Sequence, residues 1–207
     1  MAETIPTEPF KVELPGEGGC SMILIGSTRS GKTTALKHIL KTYFKKHVGV
    51  LMTHSPAAEI YKDFDILQAP DYIPQVISDM AHLNKKTNNR YDFLCVLDDV
   101  VTGVKHDKKV LEALTILRNS NLSVILCAQA ITLINSAGRT NSNWVFLFKL
   151  NSDEQIEKAV KMYLNSYFPK DWTLLDKMRY YREQTADHYF FVIDNLNGRV
   201  FRSRIAV

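Results

Sequence analysis

The sequence predicts an α/β fold in three layers, with a mostly parallel central sheet and a β-hairpin at the C-terminal end. Three observations predict it. Apolar runs at 20–25, 48–52, 91–97, 124–128 and 144–150 alternate with segments whose apolar residues recur at helical spacing. The first run leads through a glycine-bounded turn, Gly26-Ser27-Thr28-Arg29-Ser30-Gly31-Lys32-Thr33, directly into a helical segment. Two late runs, 189–193 and 199–205, flank Asp194-Asn195-Leu196-Asn197-Gly198, a hairpin connection by composition.

The elements follow in order. Residues 1–9 are polar and proline-containing and are expected to form a loose arm; 10–14 alternate apolar and polar, as a short edge strand does. The strand at 20–25 precedes a helix carrying Leu36, Ile39, Leu40, Tyr43 and Phe44 on one face. A strand at 48–52 and a loop with Pro56 lead to a helix marked by Ile73, Val76, Ile77, Met80 and Leu83. After the strand at 91–97, Val110, Leu111, Leu114 and Leu117 mark the next helix, followed by strands at 124–128 and 144–150. Ser152 and Gln155 have capping-box spacing for a helix with Ile156, Ala159, Val160 and Tyr163 on one face, and a last helix is predicted at 171–184.

A chain of 207 residues suits one sizeable domain spanning 1–207. With 45% hydrophobic and 23% charged residues, the composition is that of a globular protein. No apolar run approaches the roughly 20 residues of a membrane span. The first residues carry Glu3, Pro6, Glu8 and Pro9 rather than a basic-then-apolar signal, so an intracellular protein is expected. Cys20, Cys95 and Cys127 fall in apolar strand contexts and read as reduced core residues. The net charge of +4 permits contact with nucleic acid without requiring it.

Gly26 to Thr33 fits G-x-x-x-x-G-K-[ST], the phosphate-binding P-loop, in its strand–loop–helix context. Backbone amides of the loop and the helix N-terminus cradle phosphates in such a motif. Lys32 is placed to reach the β- and γ-phosphates of a nucleotide, and the Thr33 hydroxyl to bind Mg²⁺; Thr34 follows at the helix start. The predicted fold is thereby a three-layer P-loop NTPase of the RecA-like type, with ATP and Mg²⁺ as its cofactors. Its sheet presents the carboxyl ends of its strands to the ligand.

A second motif ends the strand at 91–97 in two carboxylates, Asp98-Asp99. Asp98 sits where a Walker-B aspartate holds Mg²⁺, usually through water, and Asp99 is suited to orient or deprotonate the attacking water. Gln129 closes the strand after Ser123-Val124-Ile125-Leu126-Cys127-Ala128 and can bond both the γ-phosphate and the lytic water. Arg139, in the polar segment 136–141 read as a loop, could reach a neighbouring subunit's nucleotide as an arginine finger. Arg29, within the P-loop, competes for that role in cis. No Asn-Lys-x-Asp motif, no basic lid and no zinc-ligand pattern is present. Two lysine-rich clusters are candidates for duplex phosphates: Lys105, Lys108 and Lys109, and Lys85, Lys86 and Arg90.

The order of Gly26 to Thr34, Asp98-Asp99, Gln129, Arg139-Thr140-Asn141 and Phe190-Phe191-Val192-Ile193-Asp194 resembles one family. It is similar to the viral genome-packaging ATPases of the FtsK–HerA superfamily, in the branch found in poxviruses, other large DNA viruses, virophages and membrane-containing icosahedral viruses. The resemblance runs from about residue 20 to 193. It implies a homo-oligomeric ring, a pentamer or hexamer, that hydrolyses ATP at subunit interfaces and drives double-stranded DNA into a preformed capsid. It also implies a partner at the capsid vertex or in the virion membrane, and work in the host-cell cytoplasm or a viral factory. Under it, Lys32 and Thr33 bind ATP and Mg²⁺, Asp98 holds the metal and Asp99 is the base. Gln129 senses the γ-phosphate, and Arg139 acts in trans. Two other readings of the residues are a nucleoside or small-molecule kinase, and a nucleotide-dependent assembly switch without motor activity.

Overall fold

The computed structural model of the chain describes residues 5–54, 56–100, 107–115, 117–134 and 136–205. The elements are β1 (Ser21–Ile25), α1 (Lys32–Tyr43), β2 (Val48–Thr53), β3 (Leu67–Ala69), α2 (Pro74–Lys86) and β4 (Phe93–Asp98). These are followed by α3 (Lys108–Thr115), β5 (Leu122–Ala128), α4 (Ser136–Asn141) and β6 (Trp144–Leu147). Then come α5 (Asp153–Ala159), α6 (Leu174–Gln184), β7 (Phe190–Asp194) and β8 (Arg199–Ser203). The eight strands form one sheet in the order β3-β2-β4-β5-β1-β6-β7-β8. Pairing is parallel from β3 through β6 and antiparallel at β6–β7 and β7–β8. This is the predicted three-layer architecture with its C-terminal hairpin.

The central strands are almost entirely apolar because both faces of the sheet are covered. Side chains alternate between two cores. Ile23, Ile25, Cys95, Leu97, Val124 and Leu126 face the layer that contains α2, α3, α5 and α6. Met22, Leu24, Leu94, Val96, Ile125 and Cys127 face α1, through Ala35, Leu36, Ile39 and Leu40. Cys20, Cys95 and Cys127 are free thiols, all buried. Burial pushes Cys95 and Cys20 each up to about 12.

Several local expectations are corrected. Ile5 is buried, and Glu8 N–H and Arg202 N–H exchange bonds with Arg202 O and Pro6 O (2.9 and 2.7 Å), so residues 5–9 lie along β8 rather than forming a loose arm. Residues 10–14 form no strand; Phe10 instead packs its ring among His38, Tyr43, Phe146 and Phe190. The short edge strand β3 lies where a loop was expected, and the segment read as a polar loop around Arg139 is helix α4. The capping box read at Ser152 and Gln155 does not form: Ser152 makes no side-chain cap, and Gln155 Oε1 accepts from Ile131 N–H at 2.9 Å. The reciprocal box is at α6, where Thr173 Oγ1 accepts from Asp176 N–H (3.2 Å) and Asp176 Oδ2 accepts from Thr173 N–H (3.1 Å).

Candidate active site

The site lies at the carboxyl edge of the parallel strands, where β1 gives way to the P-loop. Gly26 N–H donates to Ala128 O (3.1 Å) and Ser27 N–H to Lys149 O (2.9 Å), so the loop leaves β1 clamped between the end of β5 and the chain that follows β6. Only glycine fits at 26: a Cβ there would come within 2.5 Å of Phe148 Cβ and 2.7 Å of Ser30 Oγ. The loop then turns through two left-handed residues, Arg29 at φ 62° and Gly31 at φ 102°. Ser30 N–H closes the turn onto Ser27 O (3.2 Å), and α1 starts at Lys32. The amides of the first helical turn have no intrahelical acceptor and point into the loop.

Lys32 is nearly buried, and its ammonium donates to Gly26 O and to Ser27 O (3.0 Å). Burial lowers its pKa, partly opposed by the charges of Asp99 and Asp98. Thr33 and Thr34 are exposed on the first turn of α1.

Strand parity places the carboxylates. Asp98 continues the Leu94–Val96 face, the one covered by α1, and is only 8% exposed. Across the ladder it pairs with Cys127 of β5, one residue before the Ala128 that pairs with Ile25 of β1. Thus β5 separates the P-loop strand from the aspartate strand, the inserted-strand arrangement in which a polar residue ending β5 faces both. The Asp98 carboxylate accepts a 2.7 Å hydrogen bond from the hydroxyl of Tyr61. Burial raises the Asp98 pKa, and the Tyr61 bond opposes that rise. The Tyr61 hydroxyl is itself pushed up, by burial first and by the neighbouring Asp98 charge second.

Asp99 turns away from its neighbour. Its φ of 56° takes it out of the strand and leaves it exposed, where it accepts from Gln129 Nε2 at 3.1 Å. The two polar residues predicted to act on the attacking water therefore meet. Arg139 is half-buried on α4; its guanidinium donates to Ile131 O (3.1 Å) and to Ile134 O. These carbonyls belong to the chain just beyond Gln129, so Arg139 is held within its own domain. Arg29 is exposed at the loop tip.

A family model described as "Poxvirus A32 protein" matches residues 17–202. The chain belongs to the poxvirus A32 protein family. Among curated proteins, none matches it at a significant level. Solved structures share the fold of this A32-family chain. The genome-packaging NTPase B204 of Sulfolobus turreted icosahedral virus 2, in complex with AMPPCP, is 14% identical with a TM-score of 0.64, covering 91% of this chain and 98% of its own. The DNA-packaging ATPase B204 of Sulfolobus turreted icosahedral virus is 14% identical with a TM-score of 0.62, covering 90% and 98%. The pCW3 conjugation coupling protein TcpA, in a monomer form with ATPγS, is 12% identical with a TM-score of 0.64, covering 89% and 59%.

Of the remaining predicted residues of the A32-family chain, Lys85, Lys86 and Arg90 lie away from this edge, while Lys108 and Lys109 begin the helix that follows β4. Lys85 and Lys86 end α2, and Arg90 stacks over Tyr91 (5.9 Å to the ring centroid), all before β4 and so toward the opposite edge of the sheet. Lys108 is exposed at the start of α3, while the Lys109 ammonium donates to Ser78 Oγ. Lys105 lies outside the described residues. Sequence reasoning missed Tyr61, because a tyrosine in a loop after Pro56 has no periodic signature. It also passed over Cys127 as a site neighbour, although the same period-two parity that places Asp98 on the α1 face puts Cys127 beside it.

Proposed function

We propose that the chain is an ATPase that translocates double-stranded DNA and packages a viral genome into a preformed capsid. One observation carries the reading: in a chain of the poxvirus A32 family, the P-loop, the Asp98-Asp99 pair and Gln129 converge on adjacent strands of one sheet edge. The whole chain acts as one ATPase domain. Glycine-loop residues Gly26, Ser27, Thr28, Arg29, Ser30 and Gly31 wrap the phosphates. Lys32 exchanges its bonds to Gly26 O and Ser27 O for the β- and γ-phosphate oxygens.

The donor set fits Mg²⁺, a hard cation satisfied by a few protein oxygens, substrate phosphates and water. Thr33 and Asp98 supply those oxygens; Asp98 has one carboxylate oxygen bonded to Tyr61 and so held in a fixed orientation. When bound, the cation would neutralise phosphate charge, with Thr33 and Asp98 as its protein oxygens. Asp99 takes the proton of the attacking water, and the Gln129 amide, already on Asp99, orients that water against the γ-phosphate.

In a homo-oligomeric ring of five or six subunits, Arg139 reaches a neighbour's nucleotide after releasing the carbonyls of Ile131 and Ile134, with Arg29 as the cis alternative. Lys108 and Lys109, with Lys105, or Lys85, Lys86 and Arg90 meet duplex phosphates without reading sequence. Among the described residues, no helix is long and apolar enough to cross a membrane. The proposed setting is the host-cell cytoplasm or viral factory, with a capsid-vertex or virion-membrane protein as docking partner.

The test is ATPase activity of the full chain with and without long duplex DNA of unrelated sequences. The reading expects phosphate release that duplex DNA stimulates regardless of sequence, with stimulation falling as salt rises. Transfer of phosphate to a small-molecule acceptor, or hydrolysis indifferent to DNA, would overturn it.

A further inference from the structure

The P-loop forms only one side of its cavity. The space, about 330 Å³, is bounded by Arg29 to Thr34 and, on the other side, by His188, Phe190 and Ile205. These three come from the antiparallel end of the sheet. β7 starts, and β8 ends, at the same edge as the P-loop, because both run opposite to their neighbours.

His188 reaches this position through a strained turn. Asp187 and His188 are consecutive non-glycine residues with positive φ, 52° and 61°. Left-handed backbone is costly for residues that carry a Cβ, and it persists only where the surroundings fix it. Here they do. Tyr189 N–H donates to Ala186 O (3.0 Å) and closes the turn. The Arg202 guanidinium lies 3.6 Å from the Tyr189 ring centroid while its Nε donates to Gln184 O (2.9 Å), and the Arg204 guanidinium lies 5.1 Å from the same ring. The result sets the imidazole over the loop: a Cβ on Gly31 would lie 3.5 Å from His188 Nδ1.

The two walls differ in chemistry. The P-loop side offers amides, hydroxyls and an ammonium, which suit phosphates. The facing side offers an imidazole ring, the buried Phe190 and the half-buried Ile205, which suit a ring system and a ribose. A triphosphate laid along the loop with its γ-phosphate toward Asp98 and Gln129, on the β4–β5 side of β1, leaves its nucleoside on the β7–β8 side, toward that wall.

We propose that His188, backed by Phe190 and Ile205, holds the nucleoside of the bound nucleotide, and that the strained Asp187–His188 turn exists to place it. This rests on the reading of Gly26 to Thr33 as a triphosphate site.

The test measures binding by calorimetry of two probes, the nonhydrolysable ATP analogue AMPPCP and inorganic tripolyphosphate, to the wild-type chain, His188→Ala and His188→Gly. The loss of one ring contact to a base or sugar should weaken AMPPCP roughly tenfold in both variants. Tripolyphosphate, which has no nucleoside, should bind all three proteins alike. His188→Gly relieves the left-handed strain, so its melting temperature should equal or exceed that of the wild type. Unchanged AMPPCP affinity would overturn the proposal, as would equal weakening of both probes, which would place His188 on the phosphates. A lowered melting temperature in His188→Gly would make the residue structural. A wild-type chain that binds neither probe would overturn the triphosphate site itself, whatever the variants do.

Discussion

Replacing Tyr61 with phenylalanine isolates one hydrogen bond at the centre of the site. The ring is fully buried, and the 2.7 Å contact from its hydroxyl to Asp98 has the length of a charge-assisted bond. Phenylalanine keeps the ring and its packing against Phe64, so the perturbation is one hydroxyl. A hydrogen bond to a charged group is worth about 1.5–3 kcal/mol. At about 2–4 °C per kcal/mol for a domain of this size, the loss lowers the melting temperature at neutral pH by about 3–12 °C. The pH dependence has a definite sign. The hydroxyl stabilises the ionised carboxylate, so the difference between Tyr61→Phe and wild type is present while Asp98 is charged. It shrinks as pH falls through the Asp98 pKa, which burial holds above 3.8. The assay is thermal unfolding from neutral to acid pH in the presence of a chelator. Equal melting temperatures at neutral pH, or a gap that pH does not change, would refute the assignment of Tyr61 to the charged form of Asp98.

Other perturbations separate the remaining roles. Asp98→Asn removes a carboxylate whose pKa burial has raised, so it should stabilise the fold at neutral pH and lose that advantage below about 3.8, while metal-dependent ATP binding weakens. Asp99→Asn suits the left-handed backbone and should keep ATP binding but lose turnover; equal loss of affinity in both would contradict the division. Gly26→Ala drives a Cβ into Phe148 and Ser30, an overpacking cost of about 1–3 kcal/mol, and calorimetry should find ATP binding lost along with a lower melting temperature. Arg139→Ala should still bind ATP and hydrolyse it slowly, and mixing it with Lys32→Ala should restore part of the activity that neither shows alone. Full activity of Arg139→Ala by itself would pass the role to Arg29.

What was legible in the sequence follows from how local each signal is. The P-loop, Asp98-Asp99 and Gln129 each end an apolar run, and a fully apolar run bounded by polar residues states both the strand and its exit. The C-terminal hairpin was legible for the same reason. The inward hold on Arg139 was not, because the carbonyls of Ile131 and Ile134 are exposed by a short helical turn whose position depends on Gln155, a residue whose spacing suggested a cap instead. Tyr61 and His188 escaped notice because each acts across a fold-dependent distance. One meets a strand 37 residues later, and the other meets a loop more than 150 residues earlier, with no pattern linking either to its partner.

The central claim is that ATP hydrolysis moves this chain along duplex DNA, and displacement of a third strand from a DNA triplex tests it most directly. The wild-type chain should strip the third strand only when ATP and Mg²⁺ are present, from duplexes of unrelated sequence, and Lys32→Ala should strip none. Hydrolysis of ATP on the same DNA without displacement, or displacement by Lys32→Ala at the wild-type rate, would contradict the account.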